Sequence, residues 1–268
     1  MPFSISTVNA LVLRYLYLYT RHPIRLVELV FWPLVDLLVW GFLTTYLKGS
    51  GASGEFTASI TFLIGGMILW DVLFRSQQGV AISFLEDVWT RNLLNVFVAP
   101  VRTSEYVGAT CVVGVLRVGV TLVVLAIVAA LAYQFNLTSL GLGLVPFMGN
   151  LILFGWFLGM ISTALIMRFG QAAESLAWAV PFFIQPLAAV FYPVKVLPEW
   201  LQPIAMGLPC TPIFEGMRTV LAGNPVPWGN VQHALLLNLA WGAVAAFFFA
   251  ANLRHVRKTG LLVKVATQ

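Results

Sequence analysis

The sequence predicts an all-α, polytopic membrane protein, because its composition, its apolar stretches and the placement of its cations all indicate one. Hydrophobic residues make up 60% of the 268 residues and charged residues only 9%, whereas a soluble domain carries about 25% charged residues. The 15 basic and 10 acidic side chains are too few to cover a water-soluble globule. Soluble enzyme folds are therefore excluded, and the net charge of +5 is the basic excess of a membrane protein rather than a sign of nucleic-acid binding.

The first predicted element is an amphipathic helix over residues 1–22. Its apolar positions at helical spacing are Phe3, Val8, Leu11, Val12, Tyr15, Leu16 and Tyr19. Tyrosines and arginines beside a span are typical of a helix that lies in the membrane interface. We therefore expect an N-terminal elbow on the cytoplasmic leaflet. An extra half-span is the alternative, which the charges of Arg14 and Arg21 make costly.

Six stretches are long and apolar enough to cross a membrane, which takes about 20 mainly apolar residues. These predicted spans are residues 24–47, 58–80, 106–133, 142–167, 175–194 and 231–252. The connection at 48–57 is a Gly/Ser turn and that at 134–141 a short polar link. The connection at 81–105 is longer and charged, and that at 195–230 is rich in proline. Residues 1–268 are thus expected to form a single transmembrane domain.

Lysine and arginine are distributed unequally between the two sides of the membrane. With both termini on one side, that side receives Arg14, Arg21, Arg25, Arg75, Arg91, Arg102, Arg168, Arg254, Arg257, Lys258 and Lys264. The other side receives only Lys48, Lys195 and Arg218, while Arg117 lies inside a span. The positive-inside rule therefore predicts that both termini are cytoplasmic, and an even number of spans agrees with this orientation.

The charged connection contains a predicted amphipathic helix over residues 83–99. Its apolar positions recur at three- and four-residue spacing and are Leu85, Val88, Trp89, Leu93, Val96 and Phe97. Its polar face carries Glu86, Asp87, Thr90, Arg91 and Asn95. Two interpretations stay open for this helix. It is either a connector that rests on lipid headgroups, or a docking helix that takes force from a soluble partner, since apolar and charged groups together suit an interface.

The proline-rich connection before the last span is apolar as well. Seven prolines lie at or beside it: Pro193, Pro198, Pro203, Pro209, Pro212, Pro225 and Pro227. The apolar runs between them are too short to span, and such pieces fit re-entrant helices that pack in protein or line a cavity. Pro198 suits the first turn of one of them, directly before Glu199 and Trp200. A lid or plug over the exit side is the functional interpretation of this region.

Motifs for chemistry within the chain are few. The sequence has no Gly-x-x-x-x-Gly-Lys-Ser/Thr phosphate loop, so it cannot bind and hydrolyse ATP by that route. His22, His233 and His255 are far apart in sequence at membrane edges, which predicts no metal site. Cys111 and Cys210 are interpreted as small apolar side chains within the bundle.

One motif is misleading. Gly51-Ala52-Ser53-Gly54 matches the nucleophile motif of rhomboid intramembrane proteases, which also have six spans. In those enzymes the serine begins a later span and pairs with a histidine inside another span. Ser53 instead falls in the first external turn, and His233 only starts the last span, so we interpret the motif as a flexible turn and predict no catalytic residue.

Charged residues inside the predicted spans are informative because each costs about 2.5–3.5 kcal/mol at a helix centre. Asp36 lies in the first span, Asp71 and Arg75 lie four apart in the second, and Arg117 lies in the third. Asp71 can pair with Arg75, and Asp36 or Asp71 is the expected partner of Arg117. These groups either clamp neighbouring helices or form a proton or substrate relay, and snorkelling to the interface is a third interpretation.

Three segments resemble the ABC-2 type permeases of ABC exporters. Residues 94–101 (LNVFVAPV) are similar to the end of that family's docking helix, and residues 191–198 (FYPVKVLP) to its phrase at the end of the fifth span. Residues 211–218 (TPIFEGMR) are similar to its Asn-Pro…Gly-x-Arg segment, with Thr211 replacing the usual asparagine. With the amphipathic start and six spans, the resemblance covers essentially the whole chain.

The resemblance implies a bacterial inner-membrane homodimer that exports its substrate with two copies of a separate ATPase, which binds ATP and Mg²⁺; this chain needs no cofactor. Residues 83–99 would be the coupling helix in an ATPase groove, through Glu86, Asp87, Trp89 and Arg91. The first, second and fifth spans would line the path. Expected path or helix-contact residues are Asp36, Asp71, Arg117, Phe183, Phe191 and Tyr192. Expected external gate residues are Pro198, Trp200, Glu215 and Arg218.

Substrates of the resembling family are mostly lipid-linked glycans, glycolipids, lipo-oligosaccharides and hydrophobic drugs, and the aromatic residues near the exit suit all of them. An ion-coupled secondary transporter that uses Asp36, Asp71 and Arg117 is the alternative function. Six spans without visible internal repeats argue against that alternative.

Overall fold

The computed structural model describes residues 3–21, 23–49 and 54–259, which form a helical bundle. The α-helices in this part of the chain are α1 (Ile5–Arg21), α2 (Pro23–Gly49), α3 (Gly54–Trp89), α4 (Leu93–Val98), α5 (Thr103–Tyr133), α6 (Leu144–Phe169), α7 (Glu174–Leu187), α8 (Gln202–Met206), α9 (Cys210–Leu221) and α10 (Trp228–Thr259). Short 3-10 turns cover Leu137–Gly143, Gly170–Ala173 and Val194–Val196. The described ranges contain no strand, which confirms the all-α fold class. His22, Ser53 and Lys264 lie outside these ranges.

Four helical stretches of the described residues are long and apolar enough to cross a membrane. They are Ile24–Tyr46, Thr103–Tyr133, Leu137–Phe169 and Trp228–Thr259. The predicted spans 58–80 and 175–194 are not among them. The stretch 58–80 lies in α3, whose middle carries the charged residues Asp71 and Arg75. The stretch 175–194 includes α7, whose 14 residues extend only about 21 Å at 1.5 Å per residue. The apolar helices indicate a multi-pass membrane protein, and the count of six spans stays a prediction.

Helix α3 is the centre of the bundle. From Ile64 to Val88 every residue except Phe74 is buried, and α3 packs against α2, α5, α6, α7 and α9. Buried apolar side chains surround it along its length, such as Phe154 and Phe214 towards its start and Met167 towards its end. Any polar group on this helix therefore needs a partner from a neighbouring helix or from α3 itself.

Glycines allow close contact between α3 and its neighbours. A Cβ atom added to Gly79 of α3 would lie 2.2 Å from the Cα atom of Gly114 on α5. Cβ atoms added to Gly155 and Gly159 of α6 would lie 2.6 and 2.7 Å from carbonyl oxygens of α3. Small residues are the usual means by which helix backbones approach each other in membranes. The helices α3, α5 and α6 are thus packed backbone against backbone.

The bundle has two ends, called the elbow end and the far end below. At the elbow end, α1 lies beside the start of α5, where the backbone N–H of Ser4 donates to Oε1 of Glu105 over 2.8 Å. The C-terminal end of α10 lies at the same end, because Arg257 is 3.3 Å from the hydroxyl of Thr103. The C-terminal end of α3 lies there as well, because its Asp87 pairs with Arg14 of α1. The far end carries the C-terminal end of α7 together with α8 and α9. The charge distribution predicts that the elbow end is cytoplasmic.

The predicted helix over residues 83–99 is wrong in its boundaries and in its exposure. Helix α3 continues without a break to Trp89, a turn with Arg91 at φ 52° follows, and α4 is a separate helix of six residues. Glu86 and Asp87 are only 3% and 0% exposed. The amphipathic pattern places these acids on a solvated face, but arginines of neighbouring helices neutralise them inside the bundle.

The proline-rich region contains two short helices, α8 and α9. Helix α9 is buried from Cys210 to Phe214 and packs against α3, α6 and α10. Pro198 and Trp200 are exposed, the latter by 70%. That these helices are re-entrant at membrane depth stays a prediction.

Candidate functional site

A group of buried and half-buried polar side chains joins α1, α2, α3 and α5 at the elbow end. It consists of Arg14, Tyr15, Tyr19, Arg25, Glu86, Asp87, Tyr106 and Arg117 and is called the polar cluster below. A buried charge is costly unless it is paired and hydrogen-bonded. The pairing within the polar cluster therefore decides how these four helices sit against each other.

Asp87 is fully buried and is held by side chains from two other helices. Arg14 of α1 pairs with its Oδ1 atom. The hydroxyls of Tyr15 on α1 and Tyr106 on α5 both donate to its Oδ2 atom over 2.8 Å. Hydrogen bonds to an ionised group are about twice as strong as neutral ones, so this carboxylate fixes α1 and α5 to the end of α3.

Glu86 makes the second set of contacts. Its Oε1 atom accepts a hydrogen bond from the hydroxyl of Tyr19 over 2.9 Å and lies 3.4 Å from Nη1 of Arg25 and 3.6 Å from Nη2 of Arg117. The guanidinium of Arg117 also donates to the Tyr19 hydroxyl and lies 4.8 Å from the centroid of that ring. Oε2 of Glu86 has no hydrogen-bond partner among the described residues. Glu86 is thus the less completely paired of the two acids.

The charges of the polar cluster do not balance when every group is ionised. Arg14, Arg25 and Arg117 contribute three positive charges, and Glu86 and Asp87 contribute two negative ones. Burial raises the pKa of the Glu86 carboxyl from 4.5 to about 7. Burial has the largest effect, Asp87 acts in the same direction, and Arg25 and Arg14 oppose it. Glu86 therefore changes its charge close to neutral pH.

Raising the pH from about 4.5 to about 7 is expected to lower the free energy of unfolding through Glu86. In this window the folded protein holds a proton on Glu86 that the unfolded chain has released, so stability is greatest at the acid end. The full shift corresponds to a loss on the order of 3 kcal/mol. Unfolding in detergent at several pH values checks this, with Glu86→Gln expected to remove the Glu86 component. Glu28→Gln, at an exposed acid of α2, is the control, and an unchanged pH slope in Glu86→Gln contradicts the prediction.

Only part of the polar cluster is predictable from the sequence. The expected pairing of Arg117 with Asp36 or Asp71 is wrong, because Arg117 reaches Glu86 and Tyr19 instead. Of the arginines and tyrosines that surround the two acids, the sequence singles out only Arg117 as a functional residue. A usable signal exists for the tyrosines: Tyr15 and Tyr19 lie four residues apart on the predicted apolar face, where two hydroxyl groups need buried partners.

Two of the other charges predicted within the spans, Asp71 and Arg75, pair with each other. Nε of Arg75 lies 3.2 Å from Oδ1 of Asp71 one turn earlier, as the spacing predicts, and its Nη1 donates to Oε1 of Gln78 over 3.1 Å. This group lies within α3 and is buried. Asp36 lies on the exposed side of α2. Within the described ranges, no group of three or more His, Cys, Asp and Glu side chains could hold a metal ion.

Three exposed residues lie at the elbow end beyond the polar cluster, and they are called the elbow-end surface below. Trp89 ends α3, is 43% exposed and donates from its indole nitrogen to Oε2 of Glu174, the first residue of α7, over 3.2 Å. Arg91 lies exposed in the following turn, and Val98 of α4 is 84% exposed. Of the four residues expected to face an ATPase, only Trp89 and Arg91 are therefore accessible.

The predicted path and gate residues lie at several places. Phe183 on α7 is 75% exposed, Phe191 stacks on Trp40 of α2 with ring centroids 4.1 Å apart, and Tyr192 donates from its hydroxyl to the carbonyl of Pro186 over 2.6 Å. Their role in a transport path stays a prediction.

Of the predicted gate residues, Glu215 and Arg218 form an ion pair on α9, with Oε1 3.0 Å from Nη2. Pro198 and Trp200 lie exposed in the chain that leads from α7 to α8. The structure thus brings together two of the four predicted gate residues.

Apolar membrane-length helices, joined at one end by buried ion pairs, define a multi-pass membrane protein with a polar helix junction. The chain belongs to the ABC-2 type transporter family, whose profile matches residues 7–222, from α1 to the end of α9. This match confirms the family that the sequence motifs indicate. No curated protein matches the chain. The chain is therefore the permease subunit of an ABC transporter, and the matched membrane domain has no nucleotide-binding domain of its own.

Proposed function

We propose that this chain is the permease half of an ATP-driven exporter in a bacterial inner membrane. It works as a homodimer with two copies of a cytoplasmic ATPase, which binds ATP and Mg²⁺. The substrate is amphipathic or lipid-linked, such as a glycan, a glycolipid or a hydrophobic drug. The single observation that carries this proposal, beyond the family, is the polar cluster, because it joins four helices at the end of the bundle that the charge distribution predicts to be cytoplasmic.

Force from the ATPase enters at the elbow-end surface. Trp89 connects the end of α3 to the start of α7 through Glu174, and α4 follows after a short turn. Asp87 of the polar cluster lies only two residues before Trp89. A displacement of α4 therefore acts on Asp87 and through it on α1 and α5. Closure of the ATPases is converted in this way into rigid-body motion of the spans.

The ion-coupled alternative has little support from the charged residues that it requires. Asp71 is engaged by Arg75 within α3 and Arg117 by Glu86 and Tyr19. Asp36 lies on the exposed side of another helix. A relay needs groups that exchange protons along a path, and Arg117 contacts Glu86 and Tyr19 rather than either aspartate.

Co-purification tests the proposal. Tagged wild-type protein should recover a small soluble ATPase, and Val98→Asp should reduce the recovered ATPase by about tenfold or more. The reason is that a hot-spot residue contributes about 2 kcal/mol or more to an interface, and a charge in place of exposed Val98 removes apolar contact. Leu142→Asp is the matched control, because Leu142 is 83% exposed at the far end.

Two results would contradict the proposed function. One is recovery of the homodimer without any ATPase from cells that transport the substrate. The other is equal loss of the ATPase in Val98→Asp and Leu142→Asp, since binding would then not depend on the elbow-end surface.

A further inference from the structure

The chain leaves α7 at the far end in a buried, irregular segment. Helix α7 ends at Leu187, and the next three residues, Ala188 to Val190, are at most 1% exposed. Ala189 has φ 52°, a left-handed conformation that costs about 1–2 kcal/mol for a residue with a Cβ atom. The last carbonyls of a helix also lack partners within the helix. This segment therefore depends on other parts of the protein for its conformation.

A pair of side chains on α9 supplies partners to the main chain directly after α7. Nη1 of Arg218 donates to the carbonyl oxygens of Ala189 and Val190 over 2.9 and 3.2 Å. Its Nη2 lies 3.0 Å from Oε1 of Glu215, and that same carboxylate oxygen accepts the backbone N–H of Val194 over 2.7 Å. Glu215 and Arg218 thus hold both ends of residues 189–194, and they are called the α9 clamp below.

Helix α3 contacts the clamped segment from the other side. A Cβ atom added to Gly66 would lie 2.8 Å from the carbonyl oxygen of Val190. This is the oxygen to which Arg218 donates, so Val190 lies between α3 and α9. Gly66 and Asp87 belong to the same unbroken helix, and the 21 residues that separate them correspond to about 31 Å at 1.5 Å per residue.

We infer that Glu215 and Arg218 act as positioning residues that hold the chain after α7 against α9 and so form a latch at the far end. A movement of α3 that starts at the polar cluster releases this latch. The inference rests on the proposed function, because it assigns the α9 clamp to the transport cycle. A shift of α3 along or about its axis moves Gly66 against Val190 and lengthens the two hydrogen bonds from Arg218. Without them, the left-handed turn at Ala189 loses its hydrogen bonds to α9, and this turn moves away from α9.

The partial burial of the α9 clamp agrees with a device that has two states. The side chain of Arg218 is 9% exposed and that of Glu215 is 30% exposed, and an ion pair with a buried partner often contributes less to stability than well-packed apolar side chains of the same volume. Arg218 holds Ala189 and Val190 while its hydrogen bonds to their carbonyl oxygens are aligned. It releases them when the hydrogen bonds are misaligned, because the strength of a hydrogen bond falls steeply with misalignment.

Cysteine labelling tests the latch in the whole protein. In a background with Cys111→Ala and Cys210→Ala, Val190→Cys is reconstituted in vesicles and treated with a membrane-impermeant maleimide. Adding Arg218→Gln should raise the labelling rate about tenfold, the change that corresponds to losing about 1.4 kcal/mol of protection. Arg218→Lys keeps the charge but has one nitrogen in place of the two with which Arg218 reaches the carbonyls and Glu215, so it should raise the rate as well. Lys195→Gln, at an exposed cation nearby, should not.

A second reporter separates local release from general loosening. Leu140→Cys is fully buried at the same end of the bundle, and its labelling rate should stay the same in every variant. The α9 clamp is refuted when Arg218→Gln leaves the rate at position 190 unchanged, or when the rate at position 140 rises in parallel.

The same reporter tests the link to ATP. In complex with the co-purified ATPase, ATP should raise labelling at position 190 in the protein with the native clamp and have a smaller effect with Arg218→Gln. Labelling that does not respond to ATP in an active complex refutes the latch and leaves the permease function intact. Failure to recover any ATPase counts instead against the proposed function, and the Arg218→Gln comparison still decides the α9 clamp.

Discussion

Replacing Asp87 with asparagine is expected to lower the free energy of unfolding by about 3 kcal/mol or more, as removal of one partner of a buried ion pair usually does. Asparagine keeps the size of the side chain but leaves the guanidinium of Arg14 without its counter-charge. It also weakens the hydrogen bonds from the hydroxyls of Tyr15 and Tyr106. Equilibrium unfolding in mixed detergent micelles, followed by circular dichroism, measures the effect.

Glu199→Gln is the control for this substitution. Glu199 lies exposed in the chain that leads to α8, outside the membrane-length helices, so its replacement should change stability by no more than about 0.5 kcal/mol, as is usual for surface positions. The double variant Arg14→Gln/Asp87→Asn should be less destabilised than the sum of the two single variants, since the unpaired charge is gone. Similar losses for Asp87→Asn and Glu199→Gln would show that the polar cluster does not hold the elbow end together.

The second large effect is expected at the contact between α3 and α5. Gly79→Ala introduces a Cβ atom 2.2 Å from the Cα atom of Gly114, and this neighbour is backbone that cannot rotate away. The two helices must separate, and overpacking of this kind typically costs about 1–3 kcal/mol. Because α3 also carries the polar cluster, the same change should reduce substrate-stimulated ATPase activity in the complex with the partner.

Gly119→Ala gives the comparison within α5. A Cβ atom at Gly119 meets nothing within 4 Å, so the better helix propensity of alanine should raise stability by about 1 kcal/mol at most. The two glycine-to-alanine changes are thus expected to have opposite signs in the same unfolding measurement. Destabilisation of equal size at both positions would indicate a general intolerance of alanine rather than a backbone contact.

Much of the architecture is predictable because the lipid environment restricts which structures can cross it. A helix in lipid requires a continuous apolar stretch, so apolar composition and length predict α2, α5, α6 and α10. The motifs at residues 94–101, 191–198 and 211–218 predict the family, and the profile match confirms it. The pairing of Asp71 with Arg75 is also predictable, since both groups lie on one helix at a fixed spacing.

The polar cluster was harder to predict because its partners are distant in sequence. Glu86 and Asp87 lie at positions that the helical spacing assigns to a polar face. The spacing of polar residues on such a face is the same whether water or arginines of other helices cover it. Helical spacing reports which residues share a face, but it does not report what covers that face. The boundaries and the exposure predicted for the helix at residues 83–99 are wrong for this reason, while its docking role stays a prediction. The acids predicted as partners of Arg117 are wrong as well.

The polar middle of α3 has a consequence for biogenesis. Asp71, Arg75, Gln77 and Gln78 follow each other within two turns, and a charged residue at a helix centre opposes insertion by about 2.5–3.5 kcal/mol. Gln77 finds its partners only on later segments, the hydroxyl of Ser162 and the carbonyl of Ala177. Gln77 of α3 therefore reaches the insertion machinery before its hydrogen-bond partners on α6 and α7 have been synthesised. We expect α3 to be retained beside the translocon until α6 and α7 emerge, so that integration and assembly of this helix occur as a single step.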